Sequence, residues 1–375
     1  MIKLPELKIG KLVAKLPIIQ GGMGVGISMS GLASAVANEG GIGVISSVGL
    51  GLTKKIKGVT YWEANKIIIR EEIRKAKKKS AGIIGVNLMV AITDFDDMVK
   101  IVLEEEIDIL FIGAGLPLKI PKNLTLEYLR KIKTKIVPIV SSARAAKLIF
   151  HSWEKKYNHI PDAVVVEGPL AGGHLGFKID QIDDPKYKLE NLIPEVISIL
   201  KPFAQKFCKK IPVIAAGGIF NGEDIYKFLS LGADGVQLGT RFVATHECDA
   251  DIEFKKEFIR SKKEDIVIMK SPVGMPGRAI NNKFLKDVTK GIKKPFKCEW
   301  KCLKTCDFKN TLYCIAQALT QAKIGKLTEG FSFAGANAYR IDKIISVKEL
   351  IQTLVSEYEK IALLNYKNRL KVNMG

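Results

Sequence analysis

Short runs of apolar, mostly β-branched residues recur along the first 240 positions, at Pro17–Gln20, Gly41–Ser46, Ile83–Met89, Asp108–Gly113, Lys135–Ser141, Ala163–Glu167, Pro212–Ala216 and Gly235–Leu238. They are nearly continuous in hydrophobicity, which predicts strands covered on both faces. Apolar residues return every three or four positions in the intervals, predicting helices over Ser30–Asn38, Trp62–Lys79, Phe95–Glu105, Leu124–Lys133, Ala143–Tyr157, Leu189–Lys209, Asp224–Leu231 and Ile252–Arg260. Eight strand–helix units in succession predict an α/β fold of the (β/α)8 TIM-barrel type, with an open doubly wound sheet as the alternative.

After Arg260 the rhythm stops. Residues 264–340 carry Pro272, Pro276, Pro295, several Gly and four of the six Cys, and read as an irregular excursion or lid over one end of the barrel. A closing helix is expected at Val347–Lys360. The chain thus divides into a barrel over 1–263, the excursion over 264–340, and a C-terminal helix and tail over 341–375.

Composition changes this picture little. The net charge of +20 invites a nucleic-acid partner, yet only nine of the 59 basic residues are Arg and the Lys are spread over most of the helices. Groove and phosphate recognition favours Arg forks, so the excess reads as a solvated surface and not a nucleic-acid footprint. No run approaches the roughly 18 apolar residues of a membrane span. Met1 to Lys15 lacks the unbroken apolar core of a signal peptide, and six Cys, two alone and four clustered, make no disulfide framework in a chain this long. A cytoplasmic protein with no membrane partner is expected.

Active sites of such barrels lie at the C-terminal ends of the strands. The seventh and eighth strands end in Ala215-Ala216-Gly217-Gly218-Ile219 and Gln237-Leu238-Gly239-Thr240-Arg241. Gly lets backbone N–H groups approach an anion, Thr240 adds a hydroxyl, and phosphate sites of barrels are commonly built on these two loops. The alternative for either loop is a tight turn. The first strand ends in Gln20-Gly21-Gly22-Met23-Gly24, which offers amides and a soft side chain beside a flat ligand; Ile27 breaks the dinucleotide spacing there. Asn87 is polar inside an apolar run and needs partners, a ligand among them. The sixth strand leads into a glycine-rich loop holding His174, a group that titrates near neutrality.

These motifs together resemble the nitronate monooxygenase family, formerly 2-nitropropane dioxygenase, and are similar throughout to flavin-dependent enoyl-acyl-carrier-protein reductase II. The likeness rests on Pro17–Gly24, Gly85-Val86-Asn87, Glu167–Gly176 with its Ala171-Gly172-Gly173-His174 core, Ala215–Ile219 and Gly235–Phe242. It extends more weakly to Gly274–Ala279 and Gly335–Arg340. The resemblance implies FMN, with its phosphate on Gly217, Gly218, Gly239 and Thr240 and its ring near Gln20, Gly21, Gly22, Met23 and Asn87; Gly172, Gly173 and Gln237 complete the set. It makes His174 the catalytic residue, the base that removes the α-proton of a neutral nitroalkane. It implies a small-molecule nitronate or enoyl substrate: oxidation of alkyl nitronates with O2, or reduction of an enoyl thioester with NAD(P)H loading the flavin. A flavin-binding barrel without turnover is the third reading.

Cys298, Cys302, Cys306 and Cys314 lie outside the core resemblance. Their gaps differ from the usual zinc patterns and resemble iron–sulfur ligation only loosely. They are the candidate metal ligands, for zinc or an iron–sulfur cluster; one helical face, or free thiols, is the alternative.

Overall fold

The computed structural model describes residues 3–54, 56–121 and 124–373. In it every apolar run is a strand: β1 Ile18–Gln20, β2 Gly43–Ser46, β3 Ile84–Met89, β4 Ile109–Gly113, β5 Lys135–Val140, β6 Val164–Glu167, β7 Val213–Ala216 and β8 Gly235–Leu238. All neighbours are parallel, in the order β1-β8-β7-β6-β5-β4-β3-β2. The ring closes between β1 and the lead-in to β2, where Gln20 N–H donates to the Ile42 carbonyl at 2.9 Å and Ile42 N–H to that of Ile18 at 2.9 Å. The fold is therefore the expected barrel and not the open sheet.

Near-continuous hydrophobicity is explained by two cores. Inside the ring, Ile19, Val44, Ile109, Phe111, Val137, Val165 and Ile214 pack together. An N-terminal hairpin, Leu7–Ile9 against Leu12–Ala14, adds Leu7, Ile9 and Ala14 to that cluster. A Cβ on Gly235, where β8 begins, would meet Leu7, so the hairpin plugs the N-terminal end of the barrel and leaves the other end for ligands. The outer faces of the strands bury against the helices in a second, larger core.

The helices are α1 Ser30–Asn38, α2 Tyr61–Lys79, α3 Phe95–Glu104, α4 Leu126–Lys131, α5 Ala143–Tyr157, α6 Leu189–Lys206, α7 Gly222–Ser230, a short α8 Thr240–Val243, and α9 Ile252–Arg260. Differences from the expected bounds have local causes. Thr125 accepts the Tyr128 N–H at 3.1 Å and starts α4 later than its periodicity suggests. Asn221 caps α7 through the Asp224 N–H at 2.9 Å, so that helix begins at Gly222. Cys208, at φ 46°, ends α6 before Lys209. The four residues of α8 were too few to show a period.

The excursion is more ordered than expected in its first part. Ile266–Lys270 and Pro276–Ile280 form an antiparallel hairpin, and Gly173–His174 adds a third strand to it. α10 Lys283–Thr289 and α11 Ile315–Lys323 follow. Between them, residues 290–314 carry neither helix nor strand. The closing helix, α12 Val347–Asn373, overruns its expected end and packs on α7, where Glu357 accepts the Gly222 N–H at 2.8 Å. Among the described residues no helix is long and apolar enough to cross a membrane.

Candidate active site

Two cavities meet at the C-terminal end of the barrel. The first, about 240 Å³, is walled by glycines from five loops, among them Gly21, Gly22, Gly172, Gly173, Gly217 and Gly218. Gly217 and Gly218 take φ of 93° and 87°, and Cβ atoms there would lie 2.8 Å from the Gly168 carbonyl oxygen and 2.8 Å from Leu170 Cβ. That is backbone only glycine adopts cheaply. Gly217, Gly218, Ile219, Gly239 and Thr240 all line this cavity at the ends of β7 and β8. Glycine-rich backbone that leaves room for close approach at these strand ends is a cradle for an anion. Thr240 Oγ1 accepts the Gly335 N–H at 3.0 Å, and Asn337 Nδ2 donates to the Gly218 carbonyl at 2.6 Å, so the segment before α12 straps the cradle from outside. The residues present therefore fit a phosphate-bearing flat ligand.

The second cavity is larger, about 400 Å³, and mostly apolar, with Tyr61, Met89, Ile92, Leu116, Ile139 and Leu319 in its walls. It meets the first at Gly22, Gly173, Glu167 and Gln237, which line both. A Cβ on Gly22 would come 2.4 Å from Asn87 Cβ, which shows how closely the β1 loop and β3 approach at this junction.

His174 lines the second cavity. Its Nε2 is 2.7 Å from Ser271 Oγ in the hairpin turn, and its ring stands edge-on to Phe333 at 5.0 Å between centroids. Burial pushes the imidazole down to about 4, so it is neutral at pH 7. The loop that carries it is held by Arg278, a buried side chain whose guanidinium donates to the Pro169 carbonyl and, at 2.8 Å, to that of Ala171. Glu167, the last residue of β6, sits between the cavities; burial lifts its carboxyl to about 7.

The fold brings most of the expected site together. Gly21, Gly22, Met23, Gly172, Gly173, Gly217, Gly218, Gln237, Gly239 and Thr240 line the first cavity, while Asn87 and His174 line the second. Gln20 lines neither. It is fully buried, its Oε1 accepts the Val44 N–H at 3.0 Å and its Nε2 donates to the Gly21 carbonyl, so its amide is spent on closing the barrel. Sequence reasoning missed Glu167 as a site residue, although a charged residue ending an apolar strand carries the same signal that singled out Asn87. Ser271 and Arg278 offered no such signal, because their partners lie about a hundred positions away.

The candidate metal centre is not assembled. Among the described residues no three His, Cys, Asp or Glu side chains are placed to hold a metal ion. All four cysteines of the cluster are free thiols, near enough that burial and their mutual repulsion push Cys302 up to about 12. The single helical face is absent too, because residues 298–306 are not helical. Cys302 instead lines the second cavity, and its carbonyl accepts the Thr93 N–H at 3.1 Å. Cys314 begins α11.

The barrel with its cradle, together with the relatives it has, defines an oxidoreductase of the flavin-dependent class. A family model described as nitronate monooxygenase matches residues 6–357, and the chain belongs to that family. It is 26% identical over 310 residues to a probable nitronate monooxygenase of Staphylococcus saprophyticus, covering 76% of this chain and 81% of that protein. It is also 27% identical over 265 residues to a Rhodococcus jostii protein named (3aS,4S,5R,7aS)-5-hydroxy-7a-methyl-1-oxo-octahydro-1H-indene-4-carboxyl-CoA dehydrogenase. That match covers 71% of this chain and 62% of the relative's length. Among solved structures, FabK from Thermotoga maritima superposes with a TM-score of 0.71 at 27% identity, covering 93% of this chain and 95% of that one.

Proposed function

We propose that this protein is an FMN-dependent oxidoreductase that oxidises alkyl nitronates with O2. The observation that carries the reading is the shared wall of the two cavities, which lets a flat cofactor in the first face a small molecule in the second. Gly217, Gly218, Gly239 and Thr240 would hold the phosphate; Gly21, Gly22, Met23, Gly172 and Gly173 would flank the ring, and Asn87 and Gln237 would offer it amide hydrogen bonds. FMN, when bound, supplies the two-electron chemistry and the reaction with O2. With the Ser271 hydroxyl donating to Nε2, neutral His174 keeps its proton on Nδ1 and donates it as a hydrogen bond to an anionic nitronate oxygen. Such a substrate already lacks its α-proton and needs no base. The apolar walls exclude water and strengthen that hydrogen bond.

A second reading has its own observation. The second cavity is more apolar and roomier than a short nitronate requires, which suits the acyl part of a thioester, and one relative is named as a CoA-ester dehydrogenase. In that reading NAD(P)H loads the flavin for reduction of an enoyl substrate, and the +20 charge steers an acidic carrier. Anaerobic stopped-flow absorbance tests both. Bleaching of the bound flavin by propionate-3-nitronate but not by NADPH or NADH supports the first. Rapid bleaching by nicotinamide with nitronate inert supports the second. Colourless protein that takes up no FMN defeats both.

A further inference from the structure

Among the described residues no three of Cys298, Cys302, Cys306 and Cys314 are placed to hold one metal ion, yet the four are a cluster. Each thiol lies within electrostatic reach of the other three: Cys302 senses all of its companions, Cys306 senses Cys298 and Cys314, and Cys314 senses Cys298. The backbone explains how they meet. From Phe296 to Cys302 exposure alternates, with Phe296, Cys298, Trp300 and Cys302 half-buried and the residues between them exposed, so both cysteines face inward from one extended stretch. Cys306 is turned back by its N–H on the Leu303 carbonyl at 3.4 Å. Cys302 and, just after Cys314, Ile315 and Ala316 all line the second cavity, so the cluster backs onto one wall of it. Thr93 pins that wall from the barrel side, donating its N–H to the Cys302 carbonyl at 3.1 Å and its hydroxyl to that of Lys301 at 2.5 Å.

Packing alone gives this segment little support. None of residues 290–312 is buried, yet four of the chain's six Cys, all free, stand in residues 290–314. A free thiol usually serves as a small core hydrophobe, and there is no core here for four of them to fill. The same segment carries seven Lys against Glu299 and Asp307, an excess that suits an anionic group among the thiols.

We propose that Cys298, Cys302, Cys306 and Cys314 ligate an iron–sulfur cluster that staples residues 290–314 and fixes the outer wall of the second cavity. Such a cluster shares its thiolates among several irons bridged by sulfide, so the four sulfurs stand further apart than around a single ion. That arrangement admits four neighbouring thiols of which no three fit one ion. Ligation moves no electrons: each thiol releases its proton to solvent as an iron–thiolate bond forms.

The test is anaerobic reconstitution of the FMN-loaded full chain with ferric iron, sulfide and dithiothreitol, then desalting, iron and acid-labile sulfide analysis, and EPR after dithionite reduction. About two or four irons per chain with matching sulfide are expected, as four thiolates hold a two-iron or a four-iron cluster. Loading should slow tryptic cleavage at Lys297, Lys301 and Lys304 several-fold. Cys302→Ser and Cys314→Ser should each lose most of the iron and keep FMN, which shows that they fold; Cys208→Ser, at an exposed thiol beyond α6, should keep both. No iron after desalting, iron without sulfide, zinc bound in preference to iron, or a disulfide within the four in anaerobically purified protein overturns the proposal. So does full loading of both Cys302→Ser and Cys314→Ser. A chain that assembles the cluster but takes up no FMN overturns the flavin reading and leaves this one standing.

Discussion

Replacing Glu167 by Gln should stabilise the protein at alkaline pH and leave it unchanged at acidic pH. The carboxyl, ordinarily at 4.5, is lifted to about 7 by burial between the two cavities. The folded state therefore holds a proton that the unfolded chain releases between those values. Glu167 contributes its full stability below pH 4.5, and that contribution drains away as pH rises to about 7. A displacement of this size corresponds to about 3 kcal/mol, at 1.36 kcal/mol per pH unit. The side chain is partly open to the cavity, so this is a ceiling. Gln has the same shape and does not titrate, so its advantage should be near zero at pH 4.5 and approach about 3 kcal/mol at pH 8. For a chain longer than the usual single domain, at roughly 2 °C per kcal/mol, that is a rise in Tm of roughly 6 °C. Thermal unfolding followed by circular dichroism at half-unit steps from pH 4.5 to 8 reads the difference directly. A Tm gap that does not change with pH, or a variant less stable than wild type at pH 8, would show that burial does not hold this carboxyl protonated.

Other expectations follow from single contacts. Gly218→Ala forces a side chain into φ 87° against Leu170, at about 1–2 kcal/mol of strain. FMN affinity measured by flavin fluorescence should fall roughly tenfold or more, and unchanged affinity would show that the cradle lies elsewhere. Arg278→Ala releases the carbonyls of Pro169 and Ala171, charge-assisted bonds each worth about 1.5–3 kcal/mol. Its Tm should drop by several degrees and nitronate bleaching should slow with it; a variant as stable as wild type would show that Arg278 does not clamp the loop. Phe111→Ala opens the barrel interior beneath Gly85 and should cost about 3–5 kcal/mol in urea unfolding while bound flavin keeps its spectrum.

The barrel was legible in the chain because parallel strands covered on both faces must be apolar throughout, and that demand is local. Each run from β1 to β8 carried it independently of the others. Glycine positions were legible for a related reason: Gly217 and Gly218 occupy backbone that other residues enter only under strain, so the need is written in the residue itself. The resemblance extended this to the cofactor cradle, and ten of the twelve expected cofactor contacts line the first cavity, with Asn87 lining the second.

What stayed hidden depends on partners distant in sequence. Gln20 reads as a ligand-facing amide until Val44 is seen to occupy it. The cysteine spacing admits a metal or a helical face, yet residues 290–314 form no helix and bring the thiols near one another without placing three of them to hold a metal ion. Ser271 and Arg278 gain roles only because the hairpin after the barrel pairs with Gly173–His174. The pKa values follow the same rule. Asp and Glu share one chemistry along any sequence, and it is burial without a partner, a property of the folded surroundings alone, that separates Glu167 from the carboxylates on the surface. Periodicity and backbone demand are properties of neighbouring residues and are carried by the chain; desolvation, pairing and the meeting of two cavities arise only when distant segments close on one another.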